Sequence, residues 1–212
     1  QKKSNESSSL DSNLEEAENL VVQKKYNEAY LFYNKSLEHN QTIKNNKRVV
    51  YCLLKMAEIE KIECDYNTSE HTITKAISLF NKETPVPYWV NAYIGLGLNF
   101  THLNNFSEGI KYYTKALEIT DDELSKCIIQ NNIAYLYSKH DNYKKAVEIL
   151  SSIENEKVLL DNPLEYARVL HNKGYFLFYL NSPDALPYMQ KALAIRETNK
   201  DDSEIVSSYM HL

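Results

Sequence analysis

Small side chains recur in this sequence at three fixed positions of a unit that is repeated along the chain. Five alignable units supply fifteen such positions, and fourteen of them are Ala, Gly or Ser. The positions are Ala17, Ala29 and Ser36; Ala57, Ser69 and Ala76; Gly97, Gly109 and Ala116; Ala134, Ala146 and Ile153; and Gly174, Ala185 and Ala192. The middle member recurs after 40, 40, 37 and 39 residues. This spacing predicts repeated pairs of helices, because small residues let two helix backbones approach closely.

The clearest pair lies in the middle of the chain. The segment Asn104–Ile119 (NNFSEGIKYYTKALEI) predicts a helix capped by Ser107. The segment Tyr93–Leu103 (YIGLGLNFTHL) predicts the helix before it. We expect the two helices to form a tight antiparallel hairpin, with Gly97 of one helix facing Gly109 of the other.

The rest of the chain divides in the same way. Its polar and proline-containing connections predict units at 10–41, 48–81, 87–120, 121–155 and 163–199, and the first helix of a further unit at 203–212. Asp121 and Asn162 are expected to cap helices, and Pro183 is expected to open a helix that Ser182 caps. The polar, Ser-rich segment Gln1–Ser9 predicts a disordered tether.

An aromatic residue follows the turn in four of the units, at Tyr26, Tyr66, Phe106 and Tyr143. Together with the small residues, this pattern resembles the tetratricopeptide repeat, a helix–turn–helix unit of about 34 residues. The period here is 37–40 residues, which is similar to the long-helix variants of bacterial regulatory and sensor proteins. The resemblance implies an all-α fold, a right-handed α-solenoid over residues 10–212. It also implies that the first helix of each unit lines a concave groove.

Composition and motifs narrow the function. The net charge of −5 argues against nucleic acid binding by this segment, because such binding usually needs a basic face. No apolar run approaches the ~20 residues of a membrane span, although a lipid anchor or membrane helix outside the segment stays open. The sequence contains no catalytic motif and no metal-binding spacing of His and Cys. We therefore expect no enzymatic activity, no cofactor and no metal site.

Two further expectations concern residues in the interior of the protein. Cys52, Cys64 and Cys127 have no paired spacing and are expected to be buried or half-buried thiols. Glu60 stands where the repeat pattern has an apolar residue, which predicts a weaker packing layer in the second unit.

The resemblance implies that the inner wall of the groove binds the ligand. From the third unit onward, the wall positions are polar and aromatic. They are Asn91 and His102; Asn131, Asn132, Tyr135 and Lys139; and Arg168, His171, Asn172, Tyr175 and Tyr179. Asn side chains offer both a donor and an acceptor to a peptide backbone, and Tyr rings add contact area at low entropic cost. We therefore expect a protein or peptide ligand in the groove.

Three settings for such a binding domain stay open. The favoured one is the sensory or interaction region of a larger bacterial regulator, either a helix-turn-helix transcription regulator or a histidine kinase. The alternative is a stand-alone exported lipoprotein that scaffolds an envelope complex, and the third is an accessory domain of a polysaccharide-handling enzyme. Gln1–Ser9 resembles a lipoprotein tether, but a trimmed cytosolic segment would look the same. Localisation therefore stays open, with the cell envelope favoured over the cytoplasm.

Overall fold

The computed structural model describes the backbone of residues 2–200 and the side chains of residues 12–200. Across that part of the chain it contains eleven helices and no strand. The helices are α1 (Lys2–Val22), α2 (Tyr26–Thr42), α3 (Asn46–Ile62), α4 (Tyr66–Ser78), α5 (Val86–His102), α6 (Phe106–Ile119), α7 (Glu123–Ser138), α8 (Tyr143–Ile153), α9 (Lys157–Leu160), α10 (Pro163–Tyr179) and α11 (Ala185–Thr198). The predicted all-α class is confirmed. The expected helix at 203–212 lies outside the described residues, and the expected tether at Gln1–Ser9 lies outside the described side chains.

The helices form two compact units, Gln1–Leu103 and Asn104–Leu212. In the first unit, α1 packs on α2, α2 on α3, α3 on α4 and α4 on α5. In the second unit, α6 packs on α7, α7 on α8, α8 on α10 and α10 on α11. Helices therefore contact their neighbours along the chain, as in a repeat fold. The predicted hairpin of α5 with α6 falls across the division between the units and stays a prediction, as do the predicted unit boundaries.

All fifteen of the aligned positions in the repeat are buried. Gly174 shows why small residues are needed, because a Cβ atom there would lie 2.9 Å from the Ala185 carbonyl oxygen of α11. Ser69, another of the aligned small residues, also forms hydrogen bonds through its hydroxyl group. Its hydroxyl donates to the Ala57 carbonyl at 3.0 Å and accepts from the Asn99 side-chain amide at 3.0 Å. This serine therefore permits close packing and also links α3, α4 and α5.

Most helices end in turns that share one backbone conformation. A residue with φ between 54° and 61° follows the helix in each case, and the set is Lys24, Lys44, Cys64, Asn104, Asp141, Asn181 and Lys200. In the α3–α4 turn the Asp65 amide donates to the Glu60 carbonyl at 2.8 Å, the bond that closes a Schellman motif. The Asp65 carboxylate then caps α4 by accepting from the Thr68 amide at 3.1 Å.

The start of α6 follows this turn and not the predicted cap at Ser107. Asn104 has the positive φ, so Asn105 occupies the capping position and its side chain accepts from the Glu108 amide at 3.3 Å. The Ser107 hydroxyl instead donates to the Asn105 side-chain oxygen at 3.1 Å. The predicted cap is wrong by two residues, because the position of the turn selects the capping residue.

Two further helix starts are displaced from their predicted places. Asp122 caps α7 in place of Asp121, because its carboxylate accepts from the Ser125 amide at 2.8 Å. The last described helix, α11, begins at Ala185 and not at Pro183. The Ser182 hydroxyl, the predicted cap, accepts a hydrogen bond from the Asp184 backbone amide at 3.3 Å in the turn before α11.

The structure corrects one expectation about buried residues and adds detail to another. Cys64 is exposed, because it is the positive-φ residue of the α3–α4 turn, whereas the other two cysteines are buried. Glu60 is itself buried, and its Oε1 accepts from the Tyr30 hydroxyl at 2.9 Å and from the Thr72 hydroxyl at 3.1 Å. This carboxyl group therefore links α2, α3 and α4, and the weaker packing of the layer stays a prediction.

The core of the second unit positions the helices that carry most of the candidate residues. Cys127 of α7, Leu150 of α8 and Phe176 of α10 belong to one buried cluster. Leu159 of α9, a short helix that the sequence did not predict, is fully buried in the same cluster. This shared core holds α7 and α10 against each other.

Candidate functional site

Seven predicted site residues form one candidate surface on α7 and α10, which pack together in the second unit. They are Asn132, Tyr135 and Lys139 on α7, and Arg168, Asn172, Tyr175 and Tyr179 on α10. Within each helix they are spaced by three or four residues, so they share one helix face. We refer to these seven residues as the α7–α10 surface. A hydrogen bond joins the two helices, with the Asn172 side-chain amide donating to the Asn131 side-chain oxygen at 2.9 Å.

Asn131 and His171 support this surface from below. Their exposed fractions are 4% and 8%, so a ligand would reach the neighbouring Asn132 and Asn172 first. The bond from Asn172 satisfies the buried carbonyl of Asn131, which would otherwise cost free energy. It also fixes the orientation of the Asn172 amide.

The α7–α10 surface carries two cationic side chains, which differ in whether they form an ion pair. The Arg168 guanidinium donates to the Glu165 carboxylate at 2.9 Å, and both lie one turn apart on α10. The Lys139 ammonium lies 5.6 Å from the centre of the Tyr135 ring, and among the described side chains it forms no ion pair. Lys139 is therefore the cation that is available to an anionic group of a ligand.

The tyrosines of α10 form a connected pair at the end of the helix. The Tyr175 and Tyr179 hydroxyls lie 3.1 Å apart, and their ring centres are 5.0 Å apart at an angle of 68°. The hydrogen bond with Tyr179, followed by burial, raises the pKa of Tyr175 to about 12. The Tyr175 hydroxyl therefore stays protonated at neutral pH, and a phenol in this state is a donor as well as an acceptor.

The other two predicted residues, Asn91 and His102, belong to the first unit. Asn91 is exposed on α5. The His102 ring at the end of α5 stacks on Tyr66, with ring centres 4.4 Å apart and an angle of 2°. One face of the imidazole is therefore occupied by a contact within the protein. Their predicted roles in binding stay predictions.

Tyr143 and Phe178 adjoin the α7–α10 surface without belonging to its seven residues. Tyr143, the turn aromatic at the start of α8, stacks on Tyr179 with ring centres 4.6 Å apart. Phe178 is 63% exposed and meets Tyr179 at 5.8 Å.

A spacing in the sequence could have identified the role of Tyr143. The turn aromatics Tyr66, Phe106 and Tyr143 contact His102, His140 and Tyr179, which lie 36, 34 and 36 positions later. Each turn aromatic thus packs against the end of a first helix in the unit that follows. A ring near that distance in the sequence indicates the contact.

The first unit presents a different chemistry. The Glu18 carboxylate accepts from the hydroxyls of Tyr33 and Tyr51. Burial, together with the charge and hydrogen bond of Glu18, raises the pKa of both tyrosines. Glu18 also lines an open cleft of about 540 Å³ with Leu14, Glu15 and other residues. This cleft is acidic and aromatic, whereas the α7–α10 surface is cationic and aromatic.

Two features of the described residues concern membranes and metal ions. None of the helices is both long and apolar enough to span a membrane. No group of three or more His, Cys, Asp or Glu side chains in that part of the chain is arranged to hold a metal ion.

Comparison with known proteins identifies the repeat. The family model described as tetratricopeptide repeat matches residues 90–123, within the stretch where the sequence pattern is clearest. The comparison with curated proteins found no match.

Solved structures resemble nearly the whole chain. The nearly identical TPR-like repeats of a Podosopora anserina kinesin light chain match with a TM-score of 0.68 and 13% identity, over 92% of this chain and 97% of that one. Bacillus thuringiensis PlcR, in complex with the peptide PapR7 and DNA, matches with a TM-score of 0.69 and 12% identity, over 95% and 74% of the two chains. YrrB, a TPR protein with an unusual peptide-binding site, matches with a TM-score of 0.52 and 14% identity, over 87% and 85%.

At these identities the structural matches concern the fold. They agree with the match of one repeat to the family model and with the burial of the small residues throughout the chain. One segment of the chain, residues 90–123, therefore matches the tetratricopeptide-repeat model, and the fold is similar to that of solved structures with TPR-like repeats.

Proposed function

We propose that this protein binds a peptide segment of a partner on the α7–α10 surface, without catalysing a reaction. The observation that carries the proposal is the hydrogen bond between Asn172 and Asn131. It joins the two helices that carry the amides, the phenols and Lys139, which forms no ion pair among the described side chains. Function lies in such a site rather than in the fold.

The side chains of this surface match the needs of an extended peptide. A peptide backbone alternates donors and acceptors, and the Asn132 amide supplies both. The Asn172 side-chain oxygen remains available as an acceptor, because the bond to Asn131 uses its nitrogen. Tyr135 and Tyr175 pack on the core cluster of the second unit, so they offer area that is already ordered. Preorganised contacts of this kind lower the entropic cost of binding.

Two structural neighbours support the proposal. PlcR was solved in complex with a peptide and DNA, and YrrB has an unusual peptide-binding site. The likeness to PlcR also favours the setting in which this chain is the peptide-sensing region of a larger bacterial regulator. The full gene tests that setting, since an adjoining DNA-binding or histidine kinase module supports it and the lack of any such module contradicts it.

A peptide library tests the proposed binding surface. Random dodecapeptides displayed on phage would be selected on the immobilised protein, and the enriched peptides would be synthesised with blocked ends. Isothermal titration calorimetry then compares the parent with the double variant Arg168→Glu, Asn132→Ala. We expect the double variant to bind at least about tenfold more weakly, a loss of ~1.4 kcal/mol.

The matched control is Lys145→Glu on α8. Lys145 pairs with Glu148 at 2.9 Å across one helical turn, as Arg168 pairs with Glu165, so the charge change and the broken ion pair are alike. We expect this variant to bind like the parent. Peptides that bind the parent and the double variant equally would move the site elsewhere, and a library without enriched peptides would contradict peptide binding.

A further inference from the structure

Three aromatic rings of the α7–α10 surface form a cluster with two rings that adjoin it. The cluster consists of Tyr135, Tyr143, Tyr175, Phe178 and Tyr179, and we refer to it as the aromatic surface. Phe178 and Tyr179 are 63% and 47% exposed, and both lie in the last turn of α10. Large aromatic side chains exposed side by side commonly mark an interaction site.

The rings are fixed at steep angles to one another. Tyr143 covers one face of Tyr179 at 4.6 Å and 4°. Tyr175 meets Tyr179 at 68°, and Phe178 meets it at 88°. Rings that meet at steep angles leave shallow gaps between them. Such a gap accommodates a compact, rigid apolar ring better than a long flexible side chain. Because Tyr179 is stacked on Tyr143, binding would not have to order it.

The polar groups around these rings are mainly donors. Lys139 carries an ammonium that forms no ion pair among the described side chains, and the phenol hydroxyl of Tyr179 lies at the exposed end of α10. The carboxylate closest in the sequence to Tyr143 is Asp141, which accepts from the Tyr143 hydroxyl at 3.5 Å, and Glu165, on the first turn of α10, pairs with Arg168. A ligand that complements this surface presents acceptors and an anionic group.

We infer that the aromatic surface binds a proline-rich segment in the polyproline II conformation, with an acidic residue of that segment beside Lys139. Proline has no backbone N–H, so the segment needs few acceptors, while its carbonyls accept from donors. Polyproline II segments are preordered and dock into aromatic grooves. A basic segment would instead be repelled by Lys139. The inference rests on the proposed function and names the class of peptide for the same surface.

Fluorescence anisotropy with three labelled, end-blocked peptides tests the inference. They are the acidic proline peptide GDPPPPPPDG, its alanine counterpart GDAAAAAADG and its lysine counterpart GKPPPPPPKG. We expect the acidic proline peptide to bind at least tenfold more tightly than either counterpart. The preference over the lysine peptide should fall as salt is raised, because it is electrostatic.

Variants separate the contributions of the rings and the charge. Tyr179→Ala should abolish the preference for proline over alanine, whereas Tyr179→Phe, which keeps the ring, should retain it. If circular dichroism shows that Tyr179→Ala is unfolded, Phe178→Ala replaces it, because that side chain is the more exposed of the two. Lys139→Gln should remove the preference for the acidic over the lysine peptide and keep that for proline. Lys145→Gln on α8 should change neither preference.

The outcomes distinguish this inference from the proposed function. Equal binding of the proline and alanine peptides overturns the inference. Library peptides that require Arg168 and Asn132 but contain no proline overturn it as well, and they leave the proposed function standing. If neither the library nor the designed peptides yield a ligand, both fail.

Discussion

Among individual residues, Glu60 is a buried carboxyl group with only one of its two oxygens hydrogen-bonded. Its exposed fraction is 5%, and Oε2 has no hydrogen-bond partner among the described residues. Burial raises the pKa of this carboxyl group, and the nearby charges of Asp65 and Glu63 act in the same direction. Burial and the hydrogen bond to Glu60 raise the pKa of Tyr30 to about 12. For the Glu60 pKa, these effects outweigh the hydrogen bonds from Tyr30 and Thr72, which favour the ionised form.

The raised pKa predicts how stability changes with pH. Since the folded state holds the proton more tightly than the unfolded state, the contribution of Glu60 is complete below the unfolded pKa of about 4.3. It is lost as the pH rises through the higher folded pKa. Glu60→Gln resembles the protonated acid, so we expect the variant to lose less stability than the parent between about pH 4 and pH 8. Urea unfolding at both pH values, followed by the fluorescence of Trp89, measures the difference.

Glu15→Gln is the matched control for this prediction. Glu15 is an exposed carboxylate of the same unit, and its substitution should leave the pH dependence of the parent unchanged. A Glu60→Gln variant that follows the parent at every pH would show that folding does not raise the pKa of Glu60.

Between elements, the closeness of two helix backbones decides which glycines can be replaced. At Gly174 a Cβ atom would lie 2.9 Å from the Ala185 carbonyl oxygen and 3.0 Å from the Met189 backbone nitrogen. Neither atom can move without shifting α11. At Gly95 the short contact is at 2.8 Å with Cδ1 of Ile73, the end of a flexible side chain. The two glycines are buried in similar helices but face different obstacles.

Gly174→Ala and Gly95→Ala therefore form a matched pair. Alanine in a helix gains about 1 kcal/mol over glycine, while overpacking against backbone costs about 1–3 kcal/mol. We expect Gly174→Ala to lower the free energy of unfolding and Gly95→Ala to leave it unchanged or raise it slightly. Chemical denaturation followed by circular dichroism compares them. Equal destabilisation by both substitutions would contradict the role assigned to the α11 backbone.

The helices and their turns also show which features of the fold could be predicted from the sequence. Small residues at fixed spacing predicted the repeated helices, because close helix packing excludes a larger side chain at those points. The cap of α6 was missed, because Asn105 and Ser107 are both good caps and the positive φ of Asn104 decides between them. The exposure of Cys64 was missed for a similar reason, since a turn position overrides the usual burial of a thiol.

In the candidate site, the sequence predicted single residues better than their partners. Periodicity placed Tyr135, Tyr175 and Tyr179 on shared helix faces. It did not predict that Asn172 binds Asn131, or that Tyr143 covers Tyr179. Those contacts depend on the distance between two helices, and the spacing of residues within one helix does not determine that distance.

Along the described chain, each helix packs mainly against helices that are close to it in the sequence. Lys173 is an example that ties three helices of the second unit together. Its ammonium lies 2.5 Å from the Glu154 carboxylate and 4.6 Å from the Tyr188 ring, and its side chain is 7% exposed. Burial alone would lower the pKa of Lys173, but hydrogen bonds with Glu154 and Tyr188 raise it overall. The lysine therefore stays charged and depends on Glu154 for its partner.

Removing that partner predicts a destabilisation confined to part of the chain. Glu154→Gln leaves a buried ammonium without its carboxylate, a change that typically costs about 3–5 kcal/mol when a buried ion pair is broken. In a repeat fold, stability is the sum of local and nearest-neighbour terms, so amide hydrogen exchange should rise in α8, α10 and α11 and stay unchanged in α1–α4. Glu148→Gln, which breaks the exposed pair with Lys145, should alter exchange little anywhere. If Glu154→Gln accelerates exchange evenly from α1 to α11, the protein unfolds as one cooperative block, and local packing does not set its stability.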